Sequence, residues 1–249
     1  MLVSCHGRII GVMSWISERA IAHRGLHNGS SIPENSISAF ATAIEQDHPI
    51  ERDIQLRADG ELAVFHDEDL ERLTGKVGKI ADQTLKTIHH FKLFGTKQYI
   101  PALDEALKFI GGRVPVLIEI KNKGEVGPLE QKLLETLAGY SGKFAIQSFN
   151  PFSLQYLKKH APQIIRGQLS SSFEREALPW HQTMLLSNLL MNWASTPHFI
   201  AYELGALPTF PTTAQRRLFR VPLVAWTVRN AADREKASRY ADNYIFDAF

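Results

Sequence analysis

Cysteine is nearly missing from this chain of 249 residues, with Cys5 alone. No internal disulfide can form and no cysteine-based zinc site can be built, which fits a reducing compartment. An excess of one charge is missing too. Lys and Arg number 28 against 26 Asp and Glu, for a formal net charge of +2, so no broad field recruits nucleic acid or an anionic membrane as the main partner. Long apolar runs are also lacking. The opening MLVSCHGRIIGVMSWISERA scatters its apolar residues without a continuous core of secretory length. The most apolar later stretch, MLLSNLLMNWA at 184–194, is too short to span a bilayer. The expectation is a cytoplasmic protein, with Met13 as an alternative start and residues 1–12 dispensable for the fold. Internal repeats are absent, and no GxGxxG follows the first apolar run, which removes the main support for dinucleotide binding.

What the chain does contain is alternation. Short runs rich in Val, Ile and Phe lie at 21–23, 50–54, 116–121, 144–148, 164–168, 199–202, 223–227 and 244–247, with helical patterns between most of them. That pattern predicts a parallel sheet with crossover helices. Helix starts are readable at Asn35 and Ser36, before apolar residues at helical spacing, and at Asn150-Pro151, a cap followed by proline at the first helical position. Eight strands in this order predict a closed (β/α)₈ TIM barrel, with 1–249 as a single domain. In such barrels the reacting groups stand at the C-terminal ends of strands. Here those ends are polar: His23, Arg24, Glu51, Asp53, Glu119, Lys121, Gln147, Ser148, Trp226 and Asp247.

One interval, about 55–100, breaks the alternation and reads as a small insertion after the second strand. Its first part, DIQLRADGELAVFHD, suggests two extended arms around Asp59-Gly60, a dipeptide favoured in two-residue hairpin turns. That register sets Asp53 opposite His66, and Glu51 shares the face of Asp53. Glu119, near the end of the third barrel strand, brings a third carboxylate to the mouth, and Lys121 follows on the same side. Three carboxylates without cysteine or a close histidine pair favour a hard divalent ion, Mg²⁺ or Ca²⁺, over zinc. His23 and Arg24 end the neighbouring first strand and face the same place. Two histidines beside a divalent ion suit general acid and base work, and Arg24 and Lys121 offer charge to an anionic substrate oxygen.

The motifs HRG at 23–25, PENS at 33–36, ERD at 51–53, ADG at 58–60, FHD at 65–67 and IEIK at 118–121 resemble, in order and spacing, the glycerophosphodiester phosphodiesterase family. IQSFN at 146–150 and AWTV at 225–228 extend the resemblance more weakly. It implies hydrolysis of a small-molecule glycerophosphodiester to sn-glycerol 3-phosphate and an alcohol on a metal-dependent barrel. By matching motif, Glu51, Asp53 and Glu119 bind the metal, His23 and His66 are the catalytic pair, Arg24 holds phosphate and Lys121 contacts substrate. Trp226 lines the substrate pocket or fills the barrel, and the role of Glu34 stays open. The chain departs from the pattern at Arg52, where an apolar residue is usual between the two acids, at Arg57, at Arg229 in WTVRN, and in the last strand, NYIFD. A lipid-directed phosphodiesterase, such as a lysophospholipase D or a phosphoinositide-type phospholipase, is the runner-up. The segment 184–194 sustains it: as one helix it stacks Leu185, Leu189 and Trp193 in an apolar stripe, which the absence of Lys and Arg assigns to the barrel wall or a second subunit rather than to a membrane. A non-catalytic binding barrel would require some of the histidines or acids to be missing, and none is.

Overall fold

The computed structural model describes residues 14–174 and 176–249; the reading of residues 1–12 and Met13 falls outside them. Eight strands close into a parallel barrel: β1 (Ile21–Ala22), β2 (Ile50–Leu56), β4 (Val116–Ile120), β5 (Phe144–Ser148), β6 (Arg166–Ser170), β7 (Phe199–Glu203), β8 (Leu223–Val228) and β9 (Asn243–Phe246). The short β1 closes the ring, pairing with β2 on one side and β9 on the other. A ninth strand, β3 (Leu62–Val64), runs antiparallel along the upper part of β2.

Side-chain alternation decides what each strand contributes to the interior. On β4, Val116, Ile118 and Ile120 pack outward with Ile50 and Ile54 against the helices, while Leu117 joins Ile21, Phe199, Val224 and Ile245 inside. Glu119 has the parity of Leu117 and therefore faces in. The register pairs Glu51 with Leu117 and Asp53 with Glu119, so all three acids line the inner wall. Arg52, between two of them, must face out. Its buried guanidinium lies 5.3 Å from the centre of the Phe40 ring, and burial brings its pKa down to about 10. Trp15 and Ile16, in helical residues 14–18 ahead of β1, join the inner cluster and close the barrel's N-terminal end.

The helix starts follow their caps. Asn150 accepts the Phe152 amide hydrogen (2.9 Å) ahead of the helix Pro151–His160. Ser36 rather than Asn35 caps Ile37–Glu45. The insertion has its own small core, which includes Phe65, Leu70, Leu73, Ile80, Ile88 and Leu93.

Two expectations are corrected. The hairpin does not have a two-residue loop: Leu56 pairs with Leu62 and Ile54 with Val64, and the Phe65 amide donates to the Asp53 carbonyl (3.1 Å). Asp53 therefore faces Phe65, not His66. A three-residue turn, Ala58-Asp59-Gly60, produces this slip, with Gly60 at φ +78° and its amide donating to the Arg57 carbonyl (3.0 Å). A glycine at positive φ after a tight turn makes the added-residue bulge that shifts register by one. Segment 184–194 is not one helix either. The helix Trp180–Ser187 stops where Leu189 takes φ +59°, and a short helix resumes at Asn192–Ser195. The Leu186 and Ser187 carbonyls accept from Ser170 Oγ (2.9 Å) and Tyr202 OH (2.9 Å) on the barrel wall. Leu189 is consequently buried, while Leu190 and Trp193 are exposed, and no continuous stripe forms.

Candidate active site

Glu51, Asp53 and Glu119 are all buried, and each offers one carboxylate oxygen such that these atoms lie within 4.8 Å of one another. Lys121 is one cation set among them, with Nζ 2.5 Å from Glu119 and 3.2 Å from Asp53. Glu51 Oε1, Asp53 Oδ1 and Glu119 Oε1 nevertheless accept no aligned hydrogen bond. Burial, followed by repulsion from Asp53 and Glu119, pushes the Glu51 carboxyl well above its ordinary pKa. Burial likewise raises Glu119, against the pull of Lys121. Asp53 goes the other way: although burial opposes it, Lys121, Arg24 and the two imidazoles hold its carboxyl well below the usual range. A cluster of this kind holds its full charge only with further cationic compensation.

The bend after β1 delivers the next groups. Arg24 sits at φ +55°, which turns its amide onto Glu51 Oε2 (3.0 Å). Gly25 follows at φ +80°, where a Cβ would meet the Ala39 backbone at 2.9 Å; only glycine permits the chain to curl this tightly. His23 Nδ1 lies 2.6 Å from Asp247 Oδ1 at the end of β9, and Arg229 Nε donates to Asp247 Oδ2 (3.0 Å). Burial lowers the His23 pKa despite Asp247, so the neutral imidazole, hydrogen on Nδ1 and lone pair on Nε2, is favoured at neutral pH. For Asp247, burial is outweighed by the bond from His23 and the approach of the His27 imidazole, and its carboxyl stays well below the usual range.

His66 belongs to a chain of charged contacts that crosses from the insertion to the barrel. Its Nδ1 lies 2.7 Å from Asp67 Oδ1. Arg72 contacts Asp67 at 2.5 and 3.0 Å and Glu34 at 2.9 and 2.7 Å. Glu34 continues to Arg24 Nη1 (2.6 Å), whose Nε stands 3.2 Å from Asp53 Oδ2. Asn35, at φ +55°, donates from Nδ2 to the same Asp53 oxygen (3.0 Å). The cleft above has a volume of about 1320 Å³ and is lined by His66, Glu119, Lys121, Ser148 and Phe149, among others.

Seven of the eight residues singled out in the sequence thus gather around one point: Glu51, Asp53, Glu119, His23, His66, Arg24 and Lys121. Trp226 stands apart. It packs edge-on against Phe149 at 5.7 Å, partly seals the barrel interior and lines a second cavity of about 360 Å³ with Phe173 and Glu203. The sequence alone assigns no role to Asp247, Asp67 or Arg72, reads Asn35 as a cap and leaves Glu34 open. Asp67 did carry a signal, standing directly after His66; Asp247 was visible only as a polar strand end.

The model of the Glycerophosphoryl diester phosphodiesterase family matches residues 23–247. A glycerophosphodiester phosphodiesterase of Caldanaerobacter subterraneus subsp. tengcongensis is 33% identical over 227 residues, covering 87% of this chain and 88% of the relative. One from Bacillus subtilis is 28% identical over 254 residues, covering 91% and 82%. Among solved structures, an Oleispira antarctica phosphodiesterase in complex with the product sn-glycerol-3-phosphate shares the fold with a TM-score of 0.77 at 22% identity, covering 95% of each chain. A Thermotoga maritima glycerophosphodiester phosphodiesterase shares it at TM-score 0.71 and 24% identity, covering 92% and 93%. With a family match over nearly all its described residues and a curated relative at this identity, the chain belongs to the glycerophosphoryl diester phosphodiesterase family.

Proposed function

We propose that this chain hydrolyses glycerophosphodiesters to sn-glycerol 3-phosphate and an alcohol, with His23 and His66 as the acid and base pair of a single barrel domain that includes the insertion. The observation that carries the reading is the meeting of two carboxylate-held imidazoles with three buried acids, beside Arg24 and Lys121. His23 takes the base role: its Nδ1 hydrogen is held by Asp247, leaving Nε2 free to remove a proton from the attacking hydroxyl. His66, oriented through Nδ1 by Asp67, presents its other nitrogen to the cleft and protonates the departing oxygen. Arg24 and Lys121 attract the phosphoryl oxygens.

The acids fit a divalent ion. Each keeps an oxygen without an aligned hydrogen bond, two have raised pKa values, and an all-oxygen donor set suits Mg²⁺ or Ca²⁺. Glu51, Asp53 and Glu119 would hold it, and Asn35 keeps Asp53 turned toward that position. When bound, such an ion supplies Lewis-acid polarisation of a phosphoryl oxygen. The one-helix stripe on which the lipid-directed alternative rests does not form; among the described residues no helix is long and apolar enough to cross a membrane, and hydrolysis of lysolipids decides that alternative.

The test is release of sn-glycerol 3-phosphate from a panel of glycerophosphodiesters and lysolipids with Mg²⁺, Ca²⁺ or chelator. Release from soluble diesters, lost on chelation and reduced about 10²-fold or more in folded His23→Ala and His66→Ala, is the expected result. Near-normal turnover in either variant removes that histidine from the pair.

A further inference from the structure

His27 has no part in the chemistry described so far, yet it is placed beside it. The tight bend at Gly25, closed by the His27 amide on the Gly25 carbonyl (3.1 Å), folds the chain back so that His27 Nε2 comes 3.6 Å from Asp247 Oδ1. The same oxygen lies 2.6 Å from His23 Nδ1. His23, His27 and Asp247 thus offer two imidazole nitrogens and one carboxylate oxygen within 4.8 Å of one another. Arg229 binds the other carboxylate oxygen, which keeps Oδ1 turned to the two rings. The side chains are 16–23% exposed, sheltered but in reach of solvent.

The geometry points to a second cation site here, one that takes a borderline-soft divalent ion, zinc, and switches the enzyme off. Two imidazoles with one carboxylate and an open position suit zinc, whereas the all-oxygen cluster nearby suits magnesium or calcium. Tetrahedral coordination at about 2.0–2.1 Å requires donors about 3.3 Å apart. The two separations from Asp247 Oδ1, 2.6 and 3.6 Å, bracket that value, and the third, between the two imidazole nitrogens, lies within 4.8 Å, so side-chain rotations complete the set. No net proton is released: as the ion takes the two nitrogens that face Asp247, the hydrogen on His27 Nε2 transfers through solvent to its Nδ1, and the hydrogen on His23 Nδ1 transfers likewise to its Nε2. That nitrogen then bears a hydrogen and cannot accept one. Inhibition of turnover rests on the proposed base role of His23, whereas zinc binding itself does not.

The experiment separates the two. The full chain, with its carboxylate cluster saturated with magnesium, is titrated with zinc against a chromophoric chelator, and glycerophosphodiester hydrolysis is followed over the same range. One high-affinity zinc per chain is expected, weakened at least tenfold in His27→Gln and in Asp247→Asn but not in Asp53→Asn. Hydrolysis by the wild-type chain should fall in step with occupancy. Zinc affinity unchanged in His27→Gln, or lost only in Asp53→Asn, overturns the site. Should His27→Gln fold poorly, zinc X-ray absorption on the wild-type chain decides: a shell containing two imidazole nitrogens supports the site and an oxygen-only shell refutes it. If no diester is hydrolysed at all, the proposed function fails while the zinc titration still stands or falls alone.

Discussion

Arg72 lies in the insertion, touches neither the buried acids nor either histidine, and should still matter to both. Arg72→Ala removes its two contacts to Glu34 and two to Asp67. Breaking a buried pair from one side typically costs about 3–5 kcal/mol. Arg72 is 46% exposed, and solvent screening brings the expected loss down to about 1–2 kcal/mol. The functional loss follows from geometry: Asp67 keeps His66 but loses the guanidinium that fixes its own rotamer, and Glu34 swings toward Arg24, its remaining partner. With the acid still present but poorly aimed, kcat should fall about tenfold, a fraction of the 10²–10⁴ that a positioned acid or base contributes. Arg72→Lys should recover only part of this, because an ammonium cannot span two carboxylates as the planar guanidinium does. Steady-state kinetics and urea unfolding of both variants provide the check. If Arg72→Ala keeps kcat within about twofold with an unchanged unfolding midpoint, the charged chain from His66 to Arg24 is a surface ornament and the reasoning is wrong.

Three further outcomes can be measured. Magnesium or calcium at about 100 times its dissociation constant should stabilise the protein by about 2.7 kcal/mol in thermal unfolding, and Asp53→Asn should abolish most of that gain; an equal shift in the variant would place the ion elsewhere. In the barrel wall, a Cβ at Gly167 would fall 2.1 Å from the Phe199 ring, so Gly167→Ala should cost about 1–3 kcal/mol, and adding Phe199→Leu should return part of it; strictly additive losses in urea would contradict that contact. Burial brings His198 down to about pH 4, while its Nδ1 accepts the Arg166 amide hydrogen (3.1 Å). Because the folded protein favours the neutral ring, this contribution is whole above the ordinary value of 6.5 and fades as pH falls toward 4. After discounting for partial exposure it amounts to about 1–2 kcal/mol, and His198→Asn should flatten the urea midpoint between pH 7 and 5 if this account holds.

The barrel was legible because each wall strand is a run of Val, Ile or Phe separated from the next by a capped helix, a pattern set by burial on both sheet faces. The carboxylate cluster was legible for a related reason: Glu51, Asp53 and Glu119 interrupt apolar strands with matching inward parity. Turn geometry was not. The bulge at Gly60 costs no composition signal, so the hairpin register came out one residue away, and His66 reaches the acids from beyond the strand instead of across it. Nor was the break at Leu189, where a leucine adopts a left-handed backbone conformation because its neighbours bond the barrel wall. Pairings such as His23 with Asp247 or Glu34 with Arg72 leave no local trace, since nothing in either segment encodes the other.

The two halves of the proposed machinery differ in how far apart they lie along the polypeptide. Glu51, Asp53 and Glu119 sit on adjacent strands and can assemble as soon as those strands pair. His23 and Asp247 are separated by 224 positions and meet only when the two-residue β1 docks between β2 and β9. Synthesis proceeds from the N-terminus, so a nascent chain can acquire an ion-holding pocket early and still lack its aligned base until β9 has joined the ring. The order of strand docking is thereby built into the onset of turnover, and an Asp247→Asn chain would bind the cation yet leave His23 without its carboxylate.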